Sequence, residues 1–140
     1  MTDPRMDVLP IGETASFSKT VGEVDVYLFA GISGDFHPNH INEEYMKGTR
    51  YGTRIAHGAL LVAYVSSATR LLAERIPPPG CVSFRYDIRF VAPVRIGDTV
   101  TATVKVSNKN EEKREIVLDA SVTRQDGVVA AVGQSYLRLI

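Results

Sequence analysis

Among the chain's 140 residues there is a single cysteine, Cys81. One cysteine excludes an intrachain disulfide framework and fits a reducing compartment. Net charge is missing too. With 16 Lys+Arg against 16 Asp+Glu, no broad basic face steers the protein to nucleic acid. There is no long hydrophobic run: the longest uncharged, largely apolar stretch, Gly58 to Thr69, stops at Arg70, too short to span a bilayer. The N-terminus carries Asp3 and Asp7 and no apolar h-region, so no secretory signal is expected. A Gly-rich phosphate loop and a G-x-S-x-G nucleophile elbow are lacking as well. These absences predict a soluble, cytoplasmic protein whose partners include neither nucleic acid nor membrane. What is present is ordinary globular material, 44% hydrophobic and 23% charged, enough to bury one core in a single domain over residues 1–140.

The second half of the chain is the more regular. Gly58–Arg75 is apolar on almost every side until its last turn, which predicts a helix buried on most sides, stopped by the Pro77-Pro78-Pro79-Gly80 run. Four strands follow by alternation: Val82–Phe90, Val100–Val106, Ile116–Val122 and Val128–Leu139. Asp126-Gly127 marks a hairpin between the last two. The pattern predicts an α+β fold in which four meandering antiparallel strands curl around one central helix. In the first half, Ala15–Thr20 reads as an opening strand. Thr20-Val21-Gly22-Glu23 reads as a capping box for a helix over Val24–Ala30, with Val24, Leu28 and Tyr27 inward. Gly34–Thr53 reads as a long ordered loop with one helical turn at Asn42–Lys47, of the kind that tends to carry function.

All three histidines, His37, His40 and His57, fall within this loop and the helix start. Asp35 stands two residues before His37 and five before His40. A carboxylate and an imidazole on one side of a loop can hold a water between them and shuttle its protons. Spacing alone leaves a second reading open, in which Asp35 and His40 make only turn hydrogen bonds. His57-Gly58 opens the buried helix, where free amides and the dipole suit a developing oxyanion and a missing Cβ lets a carbonyl approach. The alternative there is a tight turn with His57 packed beside it. Asp35, His37, His40 and His57 are also potential metal ligands, but the HxxH spacing on a loop has no partner motif. No metal and no cofactor is expected. Cys81 reads as a small buried hydrophobe, and Arg85, Arg89 and Arg95 as a solvated sheet face.

Three segments together resemble the MaoC-like hydratases, most closely the short (R)-specific enoyl-CoA hydratases, over about Phe17 to Leu139. Ser33-Gly34-Asp35-Phe36-His37-Pro38-Asn39-His40 is similar to the family's S-G-D-x-N-P-x-H signature. Ile55-Ala56-His57-Gly58-Ala59-Leu60-Leu61 is similar to its I-x-H-G-M-L-L helix start, and Phe90–Asp98 to its F-x-x-P-V-x-x-G-D turn. The resemblance implies a hotdog fold, an antiparallel sheet wrapped around one long helix, and a homodimer or dimer-based oligomer. It implies Asp35 and His40 as a catalytic dyad and the Gly58 amide as the oxyanion donor. Ser33, Phe36, His37, His57 and Leu60 are implied beside the substrate. The implied reaction is reversible hydration of a trans-2-enoyl-CoA to the (R)-3-hydroxyacyl-CoA. Two positions depart from the pattern: His37 stands where the family has Asn, and Ala59 where it has Met, which widens the expected acyl pocket. Two other readings are weighed against the hydratase. A hotdog acyl-CoA thioesterase needs a carboxylate on the central helix, where no acid precedes Glu74. A non-catalytic acyl-CoA or acyl-carrier-protein binding module has no need of the dyad.

Overall fold

The alternating segments of the second half become strands because each can bury one face and pair along an edge with a neighbour. In the computed structural model, which describes residues 2–140, β1 is Thr14–Thr20, β2 Cys81–Phe90, β3 Thr99–Asn110, β4 Glu115–Arg124 and β5 Val129–Leu139. The helices are α1 (Glu23–Ser33), α2 (Pro38–Ile41), α3 (Glu43–Lys47) and α4 (Gly58–Ala73), after a 3-10 turn at Pro4–Val8. The strands form one antiparallel sheet in the order β1-β3-β4-β5-β2. Leu61, Tyr64, Val65, Ala68 and Leu72 of α4 pack on the inward rows of the sheet, chiefly on β1 and β3, with β4 and β5 beyond them. This is the expected hotdog. Among the described residues, no helix is long and apolar enough to cross a membrane.

Five expectations need correction. The strands after α4 do not run as one meander. Only β3-β4-β5 does, while β2 lies at the far edge against β5. Residues 91–98 therefore form a strap between opposite parts of the sheet, tied to the approach to α4 by the Ala56 N–H on the Val94 carbonyl (2.7 Å). Alternation gives a strand its period but not its neighbour. Second, β2 does not turn Val82, Phe84 and Phe90 inward. A bulge between Ser83 and Arg85 shifts its register, and all three are exposed, while Tyr86 and Ile88 pack on the core. Third, α1 runs on to Ser33 and buries Val26 and Ala30, not Val24, Tyr27 and Leu28. Its cap lies two residues later than expected. The Asp25 carboxylate accepts the Gly22 N–H (2.8 Å), the Thr20 hydroxyl bonds Thr99 across the sheet, and Glu23 pairs with Arg54. Fourth, α4 is buried on one side only, because five strands reach round half of it. Ala59, Ala63 and Leu71 face outward, so Ala59 widens no pocket within the chain. The loop after α1 holds two helical turns, α2 and α3, rather than one. Arg54 locks this region by pairing with Glu23 (2.5 Å) at the start of α1 and Glu43 (2.8 Å) in α3.

Candidate active site

Each turn between α1 and α2 is fixed by the side chain before it. Gly34 ends α1 in the left-handed conformation (φ 83°), which glycine adopts at no steric cost, and its N–H bonds the Ala30 carbonyl (2.8 Å). The Ser33 hydroxyl donates to the Phe29 carbonyl (2.7 Å) and accepts the Asp35 N–H (3.2 Å). Asp35 Oδ1 accepts the His37 N–H (3.2 Å), and His37 Nδ1 accepts the Asn39 N–H (3.2 Å), capping α2 with Pro38 in its first turn. The family's Asn position is thus filled by an imidazole acting as an N-cap. His37→Asn is expected to keep that cap and the melting temperature. His37→Ala is expected to lose about 1 kcal/mol, checked by chemical denaturation of both.

α2 delivers His40 to a half-buried position. Its Nδ1 lies 2.8 Å from the Ile55 carbonyl, which can only accept, so the ring proton sits on Nδ1. In the neutral ring Nε2 is then a bare lone pair, and it faces Asp35 Oδ2 across 3.9 Å. That gap is beyond a direct hydrogen bond. It leaves both groups free to hold one oxygen at about 2.8 Å from each. Burial holds the His40 imidazole below its ordinary value, the Ile55 carbonyl opposes this, His57 and His37 press the same way as burial, and Asp35 opposes. The turn reading of Asp35 holds for Oδ1, which accepts the His37 N–H, while Oδ2, on a side chain 52% exposed, faces the His40 ring.

A cavity of about 420 Å³ opens beside His40 and the start of α4. Gly58 and Leu61 line it from the helix, Tyr51 and Arg50 from the loop, Phe90 from the end of β2, and the strap closes it. The N-terminus of α4 has no side-chain cap, so its first amides remain available. A Cβ on Gly58 would stand 2.7 Å from the Phe90 ring. The glycine therefore makes room for that ring. Of the residues implied beside the substrate, the cavity does not include Ser33, Phe36, His37, His57 or Leu60. Ser33 and His37 build the turns, Leu60 lies in the core, and Phe36 is exposed. Tyr51, Leu61 and Phe90 were not singled out as site residues by sequence. Phe90 belongs to the third motif, which was the available signal. Arg85 and Arg89 lie exposed on β2, Arg85 paired with Asp87 (2.6 Å). Arg95, however, is not on a sheet face: it is half-buried in the strap and donates to the Tyr51 carbonyl (3.3 Å). Cys81 opens β2 half-buried rather than buried, with its thiol pushed up by burial.

Donor atoms of Asp35, His40 and His57 lie within 4.8 Å of one another. The two imidazoles, however, are stacked at 3.7 Å with only 25° between their planes. In-plane lone pairs on near-parallel rings do not converge on one point about 2 Å from each, as a shared metal ion requires.

The MaoC-like domain model matches residues 8–128. An (R)-specific enoyl-CoA hydratase from Rhodospirillum rubrum is 45% identical over 118 residues, covering 84% of this chain and 80% of that protein. One of the same name from Aeromonas caviae is 33% identical over 131 residues, covering 94% and 96%. Among solved structures, the unliganded R-hydratase PhaJ1 from Pseudomonas aeruginosa superposes with a TM-score of 0.83 at 30% identity, covering 96% of this chain and 84% of that one. With its motifs, its hotdog sheet and these matches together, the chain belongs to the MaoC-like domain family.

Proposed function

We propose that the chain catalyses reversible hydration of trans-2-enoyl-CoA to (R)-3-hydroxyacyl-CoA. The observation that carries this reading is the His40 Nε2 lone pair facing Asp35 Oδ2 across 3.9 Å, beside a cavity shared with the start of α4. Water held between the two gives a proton to the dyad as its oxygen bonds C3. The C2=C3 electron pair moves onto the thioester, whose oxygen takes the Gly58 N–H, and the dyad returns the proton to C2. No cofactor enters this balance. The 33–45% identity to proteins named (R)-specific enoyl-CoA hydratase supports the same substrate class. The thioesterase alternative finds no support in α4, whose nearest acid is the C-cap Glu74, at the far end and paired with Arg70 (2.6 Å).

The reading fixes a pH response. Neutral His40 is the competent base, and burial lowers its proton affinity. The acid limb of kcat against pH for crotonyl-CoA, followed by loss of enoyl-thioester absorbance, is therefore expected below the ordinary imidazole value of about 6.5. Stability follows the same group. The unfolded chain binds the His40 proton more readily than the folded one, so this contribution is whole above about pH 6.5 and fades as pH falls through the folded value. An acid limb above pH 7 would contradict the assignment.

We further propose a homodimer. β2 is an edge strand with one unpaired side, exposing Val82, Phe84 and Phe90, and the outward side of α4 carries Ala59, Ala63 and Leu71. Light scattering on the purified chain is expected to give twice its 15.3 kDa; the mass of one chain at micromolar concentration would overturn this.

A further inference from the structure

His57 is 1% exposed and does not line the cavity, yet it touches both members of the dyad. Its Nε2 lies 2.9 Å from the main-chain carbonyl of Asp35. Its ring stacks on the ring of His40 at 3.7 Å, and Phe29 packs against it with centroids 4.8 Å apart. A carbonyl only accepts, so the His57 proton sits on Nε2, and Nδ1 is a bare lone pair, buried and without a partner among the described residues. A buried unpaired acceptor costs stability that an apolar ring of the same shape would not. The histidine is there for its N–H.

We propose that His57 is the positioning residue of the dyad: its N–H pins the Asp35 main chain, its ring face sets the plane of His40, and together they fix the gap that holds the water. The chemistry rests on the hydratase reading; the placement does not. Asp35 hangs on a turn held by the Gly34 N–H on the Ala30 carbonyl, the Ser33 hydroxyl on the Asp35 N–H and the Asp35 carboxylate on the His37 N–H. The His57 N–H anchors that turn to the residue just before α4. On the other side, His40 has two constraints on its ring, the Ile55 carbonyl and the His57 face. The groups that act on the charge of His40 are Asp35 from the α1–α2 turn, His37 from the start of α2 and His57 before α4, with Arg50 on the same cavity.

Two variants separate the two contacts. His57→Phe keeps a ring against His40 and removes the N–H. It is expected to lower kcat by about 10- to 100-fold through misplacement of Asp35, with KM within about twofold. His57→Gln keeps a donor for the Asp35 carbonyl and removes the stacked ring. It is expected to raise the titration midpoint of His40 toward about 6.5, read from imidazole proton shifts in NMR, and to carry the acid limb upward with it. Wild-type kcat and an unmoved His40 titration in both variants would overturn the proposal. So would loss of thermal stability alone, with kcat per folded molecule and the pH profile unchanged, because that is what mere packing predicts. If the wild-type chain hydrates no enoyl thioester, the hydratase reading fails; the NMR titration needs no turnover and still decides the placement.

Discussion

Asp35→Asn and His40→Asn are each expected to reduce hydration of a short trans-2-enoyl-CoA by about 10²- to 10⁴-fold. Both substitutions leave the architecture in place. Asn at 35 keeps an oxygen to accept the His37 N–H, so the turn that carries it persists. Asn at 40 keeps a donor near the position of Nδ1, so the bond to the Ile55 carbonyl has a substitute. What each removes is a proton acceptor at the 3.9 Å gap. Steady-state kcat with crotonyl-CoA, beside thermal melts of the same samples, separates the two effects. Retention of most of the wild-type kcat in either variant would mean that the dyad is wrongly assigned.

The largest effect on stability is expected from Gly133→Ala. Gly133 lies in β5 opposite Ile88 of β2, and a Cβ there would stand 1.8 Å from the Asp87 carbonyl oxygen. That contact is with main chain, which cannot swing aside as a side chain can. Either the β2–β5 ladder opens locally or β2 leaves the sheet. The cost is expected at about 3 kcal/mol, the upper end for overpacking, visible as a lower urea midpoint. The consequence reaches the site, since β2 ends in Phe90, a wall of the cavity. The exposed Phe90 ring, by contrast, can move away from an added methyl, so Gly58→Ala is expected to disturb the cavity more than the fold. A wild-type urea midpoint in Gly133→Ala would show that the close approach of β2 to β5 is wrong.

Much of the fold was legible because β3 and β4 alternate cleanly: Val100–Val106 and Ile116–Val122 have one face to bury, and it meets α4. The approach of Asp35 to His40 was legible through the motif and because each turn between Ser33 and His40 is made by a neighbouring side chain. The pairing of β2 was not. Period two says which residues share a face, but the choice between β3 and β5 as a neighbour is made by a strap whose bonds, such as Ala56 to Val94, span tens of residues. The inward face of α1 was ambiguous because apolar residues flank both sides of Glu23–Ser33, and Asp25 on the Gly22 N–H sets its start. His57 was visible as a residue but not as a bridge. Its two contacts, the Asp35 carbonyl and the His40 ring, exist only once α2 folds back over the start of α4.

The most direct test of the central claim is the chirality of the product that the wild-type chain forms from crotonyl-CoA, read by coupling to dehydrogenases specific for the (R)- or (S)-3-hydroxyacyl thioester. Rapid loss of enoyl absorbance with turnover by the (R)-specific enzyme alone is the expected result. An (S) product, or no hydration of crotonyl-CoA and of longer enoyl-CoA thioesters, would contradict it.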